Sequence, residues 1–212
     1  MKRINLGVVM AVAVLCAQPA RAQDLSVTAG LGLEYYSAPS LSQYFAVTTG
    51  GTTPGTFVTS VQLEAGADWF ITDNWTIGIE YAYLTNQSTG NSIQISYSYS
   101  LPTLMLRKVI AGDNYYLRVG GGLGYHFSSL SQTIPYGTTD YSSSGLGLKV
   151  DAALDTKLGE NFYARVTVDG RTEYTGILKS GEGTALTNTT NSSEVNSNLS
   201  GVGLTFGLVY YF

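Results

Sequence analysis

Charged side chains recur at alternate positions of two neighbouring stretches in the second half of the chain. They are Lys149, Asp151, Asp155, Lys157, Arg165, Asp169, Arg171 and Glu173. Acidic and basic groups that share one face of adjacent strands can pair with each other. Such a cluster could be a switchable gate over a narrow water path or a static polar core. Because a charge removed from water must pair or be neutralised, the static core is favoured.

Few residues suit catalysis or metal binding. His126 is the only histidine, and Cys16 is the only cysteine, so histidine metal sites and nucleophilic triads have little to build from. The glycine-rich stretch 118–124 lies within a strand pattern and lacks the strand–turn–helix context of a phosphate-binding loop. We therefore predict a protein that is not an enzyme, with no catalytic, metal-binding or cofactor-binding residues and no cofactor.

A period of two runs from residue 25 to the last residue, as expected for strands with one face apolar and the other small or charged. The predicted strands are about 25–36, 58–71, 75–85, 92–109, 115–127, 144–158, 162–175 and the final stretch that ends in GLTFGLVYYF. In the fourth, the apolar face runs from Ile93 to Leu101 and then changes phase at Pro102. We predict a bulge there, because proline cannot donate to the ladder.

The connections alternate between short and long. Residues 72–74, 111–114 and 159–161 form tight polar turns, whereas 37–57, 86–91, 128–143 and 176–198 form longer loops. Short turns at one end and long loops at the other are typical of outer-membrane barrels. The sequence predicts an all-β fold, an eight-stranded antiparallel up-and-down transmembrane barrel. The Thr-, Ser-, Asn- and Gly-rich segments 48–57 and 180–198 are predicted to be solvated and flexible.

The charges on the strands decide which face points inward. If the charged face pointed outward, its few charges among many glycines would hydrate the surface of a soluble barrel poorly. If it points inward, opposite charges can pair in the narrow lumen of eight strands. The predicted lumen cluster is Glu34, Glu64, Asp68, Glu80, Arg118, Lys149, Asp151, Asp155, Lys157, Arg165, Asp169, Arg171 and Glu173. The apolar faces then contact lipid. Only 12% of the residues are charged, and Gly (25) and Tyr (16) are plentiful, which suits such a chain.

Aromatic residues cluster at the two ends of the predicted strands. Two aromatic girdles that flank an aliphatic band are typical of a bilayer with two polar interfaces. The predicted girdle residues are Tyr35, Trp69, Trp75, Tyr83, Tyr97, Tyr115, Tyr125, Phe162 and Tyr174.

The first 22 residues have the features of a secretory signal peptide. Lys2 and Arg3 precede an apolar stretch from Leu6 to Cys16, and Ala20-Arg21-Ala22 is a small-x-small cleavage pattern. We predict a cleaved signal peptide at 1–22 and a barrel domain at 23–212, in a bacterial outer membrane. Of the 11 basic residues, three lie in the signal, so 8 remain against 15 acidic ones. This balance makes nucleic acid an unsuitable partner.

The segment TFGLVYYF resembles the C-terminal sorting signal of bacterial outer-membrane proteins through Thr205, Gly207, Tyr210 and Phe212. With the eight-strand pattern, the chain resembles the OmpA-type and opacity-type surface barrels, without the peptidoglycan-binding domain of full OmpA-like proteins. The resemblance implies an assembly signal that the barrel-assembly machinery reads. It also implies outer-membrane lipid and lipopolysaccharide as surroundings.

Three functions remain open at this point. The first is a structural or surface-interaction role, as an adhesin or antigen, in which four extracellular loops meet a host or phage ligand. The second is a narrow porin-like channel for small solutes. The third is a lipid A-modifying enzyme, because His126 and Ser128 resemble the His-x-Ser of the lipid A 3-O-deacylase barrel. Both side chains are predicted to point into the lumen, away from lipid, which disfavours the enzyme.

Overall fold

A computed structural model describes residues 25–49, 57–90, 92–188 and 192–212. The strands are β1 (Leu25–Ser37), β2 (Phe57–Thr72), β3 (Trp75–Gly90), β4 (Ile93–Ala111), β5 (Tyr115–Ile134), β6 (Gly137–Lys157), β7 (Phe162–Tyr174) and β8 (Leu199–Tyr211). A helix, α1 (Pro39–Thr49), follows β1, and a two-residue strand, Lys179–Ser180, pairs with β6. The predicted signal peptide lies outside the described residues. Within the four ranges given above, no helix has the length and apolar character needed to cross a membrane.

Each long strand pairs antiparallel with the next, and β8 returns to pair with β1 from Ser26↔Tyr211 to Ser37↔Ser200. The sheet is therefore a closed eight-stranded barrel. Where the described strands close the barrel, each strand pairs on both sides, so the ladders satisfy the backbone polar groups internally, as hydrocarbon requires. The predicted fold class is confirmed.

Two predicted loops are strands. β5 and β6 continue to Ile134 and Gly137, and β3 and β4 continue to Gly90 and Ile93, so the stretches 128–143 and 86–91 are mostly hairpin. The reason is that the β5–β6 hairpin is amphipathic. Leu130 is fully buried and Tyr141 half-buried, while Ser129, Ser142 and Ser144 at alternate positions are exposed. The serine-rich composition suggested a loop, but it belongs to the outer face of strands that extend beyond the apolar belt.

The predicted bulge at Pro102 is wrong. β4 pairs with β3 in one register across the proline, from Ala82↔Leu101 to Glu80↔Thr103. The ladder to β5 likewise passes from Ser100↔Phe127 to Thr103↔Gly124 without a shift. The side chains of β4 keep one phase throughout. The apolar residues before Pro102 face the interior, and Leu104 and Leu106 face outward.

The barrel interior has three layers. At the end with the tight turns, Tyr163, Val209 and Tyr211 form an aromatic cluster with Phe70 and Tyr116. The middle layer holds the buried charges. The opposite end is filled by a larger apolar cluster, here called the cap. Its members are Tyr36, Ala38, Leu41, Tyr44, Phe45, Ala82, Leu84, Ile95, Tyr97, Tyr99, Leu101, Leu130, Leu178, Leu186, Val195 and Leu199.

Candidate functional site

The outer face of the barrel carries a continuous apolar belt. Leu31, Ile79 and Phe206 are 56%, 57% and 59% exposed, although each would be buried in a water-soluble fold. A belt of this kind around the whole barrel is far larger than the apolar patches of soluble monomers. Its natural surroundings are the hydrocarbon of a bilayer.

Aromatic residues border this belt, with one exception. Trp75, Tyr115 and Phe162 are exposed at the turn end, Tyr35, Tyr125 and Tyr174 are exposed at the other, and Trp69 and Tyr83 are half-buried. Tyr97, which the sequence placed in a girdle, is only 2% exposed and belongs to the cap. The prediction was wrong because it assigned β4 the opposite phase on the near side of Pro102.

Arg107 is the hub of the middle layer, meaning that it contacts three carboxylates from three strands. It was not among the residues that the sequence predicted for the lumen. Its guanidinium contacts Asp68 at 2.8 Å, Glu80 at 2.5 Å and Asp151 at 2.6 Å, and its side chain is 5% exposed. These partners come from β2, β3 and β6, so one side chain from β4 links strands around the lumen. The predicted phase change at Pro102 left the inward face of β4 unassigned beyond the proline. With unbroken alternation along β4, Arg107 would have been predicted to face the lumen.

A second group of ion pairs lies nearer the turn end. Arg118 contacts Asp68 at 2.9 Å and Asp155 at 3.1 Å. Arg165 contacts Asp155 at 2.5 Å. Tyr211, which points inward from β8, donates its hydroxyl to Asp155 at 2.7 Å and accepts from Arg118 at 2.7 Å. The aromatic layer and the ionic layer are therefore joined by direct hydrogen bonds.

The third group lies beneath the cap. Lys149 pairs with Glu80 and lies 3.2 Å from Glu64. Arg171 contacts Asp169 at 2.7 Å and lies 3.4 Å from Glu34. These contacts join β1, β2, β3, β6 and β7 across the lumen.

His126 occupies the boundary between the ionic layer and the cap. Its Nδ1 contacts Glu173, and its Nε2 lies 3.1 Å from the Thr103 hydroxyl. A Cβ built at Gly147 would meet both the His126 ring and Glu173. The glycine face of the strands thus makes room for the buried polar side chains.

Twelve of the thirteen residues predicted for the lumen are buried there, but Lys157 is not. It is the last residue of β6 and is exposed at the rim. The alternation continues past the point where the barrel encloses a lumen, so the periodic pattern alone could not exclude it. In the predicted assembly signal, Thr205 is buried and Tyr210 and Phe212 are exposed, at 42% and 55%.

Part of the predicted flexible segment 180–198 packs into the cap. Leu186 and Val195 of this segment, and Leu178 just before it, are buried in the cap, and isolated bridges join Ile177 to Asn196 and Thr187 to Glu194. Leu186 and Val195 anchor the segment, but residues 181–184 and 192–194 are exposed. The predicted solvation therefore holds for these two stretches, and flexibility stays a prediction. In segment 48–57, residues 50–56 lie outside the described part of the chain.

Helix α1 is the other component of the cap. Pro39 begins it, as proline favours a first helical position, and the N–H of Ser42 donates to the Ala38 carbonyl at 2.9 Å. Leu41 and Phe45, one turn apart, face the barrel mouth and are buried. The mouth is thus closed by packed side chains.

Comparison with solved structures finds barrels of this architecture. The attachment invasion locus protein Ail of Yersinia pestis matches with a TM-score of 0.55 and 11% identity, over 91% of this chain and 100% of Ail. Neisserial surface protein A matches with a TM-score of 0.57 and 14% identity, over 91% and 100%. A major outer membrane protein from Thermus thermophilus matches with a TM-score of 0.58 and 13% identity, over 89% and 99%.

The fold is that of an outer-membrane barrel. No protein-family model and no curated protein sequence matches the chain. At these identities the likeness concerns architecture alone, and the belt and the buried charges independently place lipid on the outside of the barrel.

Proposed function

We propose that this protein is a non-enzymatic surface barrel of a Gram-negative outer membrane that acts through its ordered extracellular cap. The observation that carries the proposal is the filled interior, in which an aromatic layer, an ionic layer and an apolar layer succeed each other. A barrel filled at three levels suits a rigid anchor for the surface that it presents.

The two alternative functions have less support. A water path would have to cross the Arg107 and Arg118 networks and then the apolar cap. Catalysis at His126 and Ser128 would need substrate at side chains that are 1% and 3% exposed and face the lumen, whereas a lipid substrate lies on the other side of the wall. The geometry therefore favours a role at the surface.

The neighbours suggest the kind of surface role. Ail is an attachment invasion locus protein, and it has been crystallised with the heparin analogue sucrose octasulfate. We propose attachment for the present chain, but to a different class of ligand. The charged side chains described in its cap region are Lys179, Asp140, Glu182 and Glu194, and this excess of carboxylates disfavours a polyanion.

Cells of a non-adherent Gram-negative laboratory strain should attach to epithelial monolayers or to surfaces coated with extracellular-matrix protein when they display the protein. The variant Leu178→Asp should abolish the gain, because an unpaired carboxylate in the apolar cap disorders it. Lys179→Gln, on the adjacent exposed residue, should attach like wild type. Heat-modifiable electrophoretic mobility checks that each barrel is folded. Equal attachment of displaying and empty-vector cells on both surfaces would refute the proposed function.

Planar bilayers that contain the folded protein should show no discrete conductance steps, for wild type and for Arg171→Ala alike. The three buried layers of the described residues oppose a continuous water path, and we expect that removing one guanidinium does not open the cap. Folded protein is verified in the same preparation by its resistance to added protease. Discrete steps whose size changes in Arg171→Ala would instead identify the charge cluster as a gate and make diffusion the leading function.

A further inference from the structure

A cleft of about 540 Å³ opens beside the cap. Its walls come from α1, from the β4–β6 extension beyond the belt, and from the connection between β7 and β8. Its lining residues include Tyr44, Thr48, Gln132, Tyr141, Thr184 and Thr187. This volume falls in the range of small-molecule sites.

The polar groups in the cleft are neutral and are both donors and acceptors. The Tyr44 hydroxyl donates to Gln132 Oε1 at 2.6 Å. Burial raises the pKa of the Tyr44 phenol, so this donor stays protonated. Because the carboxamide oxygen is engaged, the Gln132 NH₂ group is left to donate to a ligand. The hydroxyls of Tyr141, Thr184 and Thr187 can each donate or accept.

The remaining walls are apolar or aromatic. Ile93 and Val47 contribute accessible aliphatic surface beside the ring of Tyr141, whereas Tyr44 and Leu186 line the cleft but are only 4% and 5% exposed. None of the described lining residues is charged. A charged ligand would therefore lose its hydration without gaining a partner, whereas a neutral ligand with an apolar face and several hydroxyls matches both kinds of surface.

The cleft is held open by its own framework. The N–H of Asn196 donates to the Ser40 hydroxyl at 3.1 Å, which ties the connection between β7 and β8 to α1. Tyr44 and Leu186, which line two of the walls, are buried in the cap. A preformed site loses little conformational freedom on binding, which favours affinity.

We propose that this cleft binds a neutral saccharide. The inference rests on the proposed surface role and assigns it a ligand class. A sugar ring offers an apolar C–H face to Tyr141, which is half-buried, and its hydroxyls exchange hydrogen bonds with Gln132 and the threonines. The saccharide comes either from a foreign glycan or from the lipopolysaccharide that surrounds the barrel.

The test is a glycan array probed with the full protein in phospholipid nanodiscs, with neutral, sialylated and sulfated glycans on the same array. We expect neutral glycans to be retained over acidic ones. Retention that is lost in lipopolysaccharide-containing nanodiscs identifies the membrane's own sugars as the occupant, and unchanged retention identifies a foreign glycan. Both results support the saccharide site. An array without neutral hits, or a preference for sulfated glycans, overturns it.

Matched variants locate the binding. For the best neutral glycan, Gln132→Leu and Tyr141→Ala should each raise Kd at least about tenfold, the factor that the loss of one or two ligand hydrogen bonds implies. Gln94→Leu and Tyr136→Ala change the same residue types at exposed positions outside the cleft, and they should leave Kd within about twofold. Equal effects in both pairs would overturn the assignment to the cleft.

The outcomes separate this inference from the proposed function. If attachment depends on Leu178 but the array has no neutral hits, the surface role stands and the saccharide site is refuted. If the displaying cells do not attach and the array has no neutral hits, both the surface role and the saccharide site are refuted. Gln132→Leu removes an amide but keeps the side chain's bulk, so its result is interpretable even if Tyr141→Ala disturbs the hairpin.

Discussion

Replacing Arg107 with methionine should lower the free energy of unfolding by about 3 to 5 kcal/mol, the cost of removing one partner from a buried ion pair. Arg107 bridges three carboxylates, and Asp151 receives three of its hydrogen bonds. Asp68 keeps Arg118 and Glu80 keeps Lys149 after the change. Asp151 keeps no ion pair among the described residues and becomes an unpaired buried charge.

The charge balance of the lumen enlarges this effect. The buried side chains include eight carboxylates but only five arginines and lysines. Loss of one cation from a chamber that already has excess negative charge raises the repulsion among the remaining groups. The cost should therefore lie toward the upper end of the range.

Urea titration in phospholipid vesicles, followed by fluorescence of Trp69 and Trp75, measures the change. Lys108→Met alters the adjacent residue of β4, which is exposed, and should change stability by less than about 0.5 kcal/mol. The double variant Arg107→Met with Asp151→Asn should recover part of the loss, because it removes the orphaned charge. Equal losses for Arg107→Met and Lys108→Met would refute the role of Arg107 as a hub.

Introducing arginine at Leu204 should cost about 2 to 4 kcal/mol, the penalty for a charge deep in the lipid face of a barrel. Leu204 lies in the belt between Leu33 of β1 and Val168 of β7, and all three side chains are exposed. Arginine there would have to carry its charge through hydrocarbon to reach a polar interface.

Ser200→Arg is the matched control on the same strand. Ser200 pairs with Ser37 and Thr172, and its hydroxyl lies 2.8 Å from that of Thr172. This polar row marks the edge of the belt, where an arginine should cost about 0 to 1 kcal/mol. The same vesicle titration compares the two variants. Equal penalties would mean that the apolar belt does not lie in hydrocarbon.

The two-residue period of the sequence was enough to predict most of the fold. It predicted eight strands, their tight turns and the burial of twelve charged side chains, because a barrel wall forces every second residue inward. It failed on β4, where the inward residues from Ile95 to Leu101 are apolar because they reach the cap instead of the ionic layer. In a sequence, an apolar side chain beneath a cap looks the same as one that faces lipid.

The same ambiguity explains what was missed in the cap. Leu186 and Val195 lie in a stretch that is mostly polar, and Leu178 follows only one other large apolar residue, Ile177, so no local period marks them as buried. Their burial depends on a barrel mouth that is formed by strands remote in sequence. Tyr211 likewise alternates with small residues, Val209, Gly207 and Thr205, and the sequence alone does not show that its hydroxyl donates to Asp155 inside the barrel.

The cap also constrains how the molecule is assembled. In the proposed orientation, α1 and the segment that carries Leu178 and Leu186 must travel through the bilayer before they can meet. Their apolar anchors tolerate that passage, and only Lys179, Glu182 and Glu194 are charged between residues 175 and 198. The mouth can therefore be sealed only after both segments have reached the same side of the membrane, because the cap is built from side chains of both.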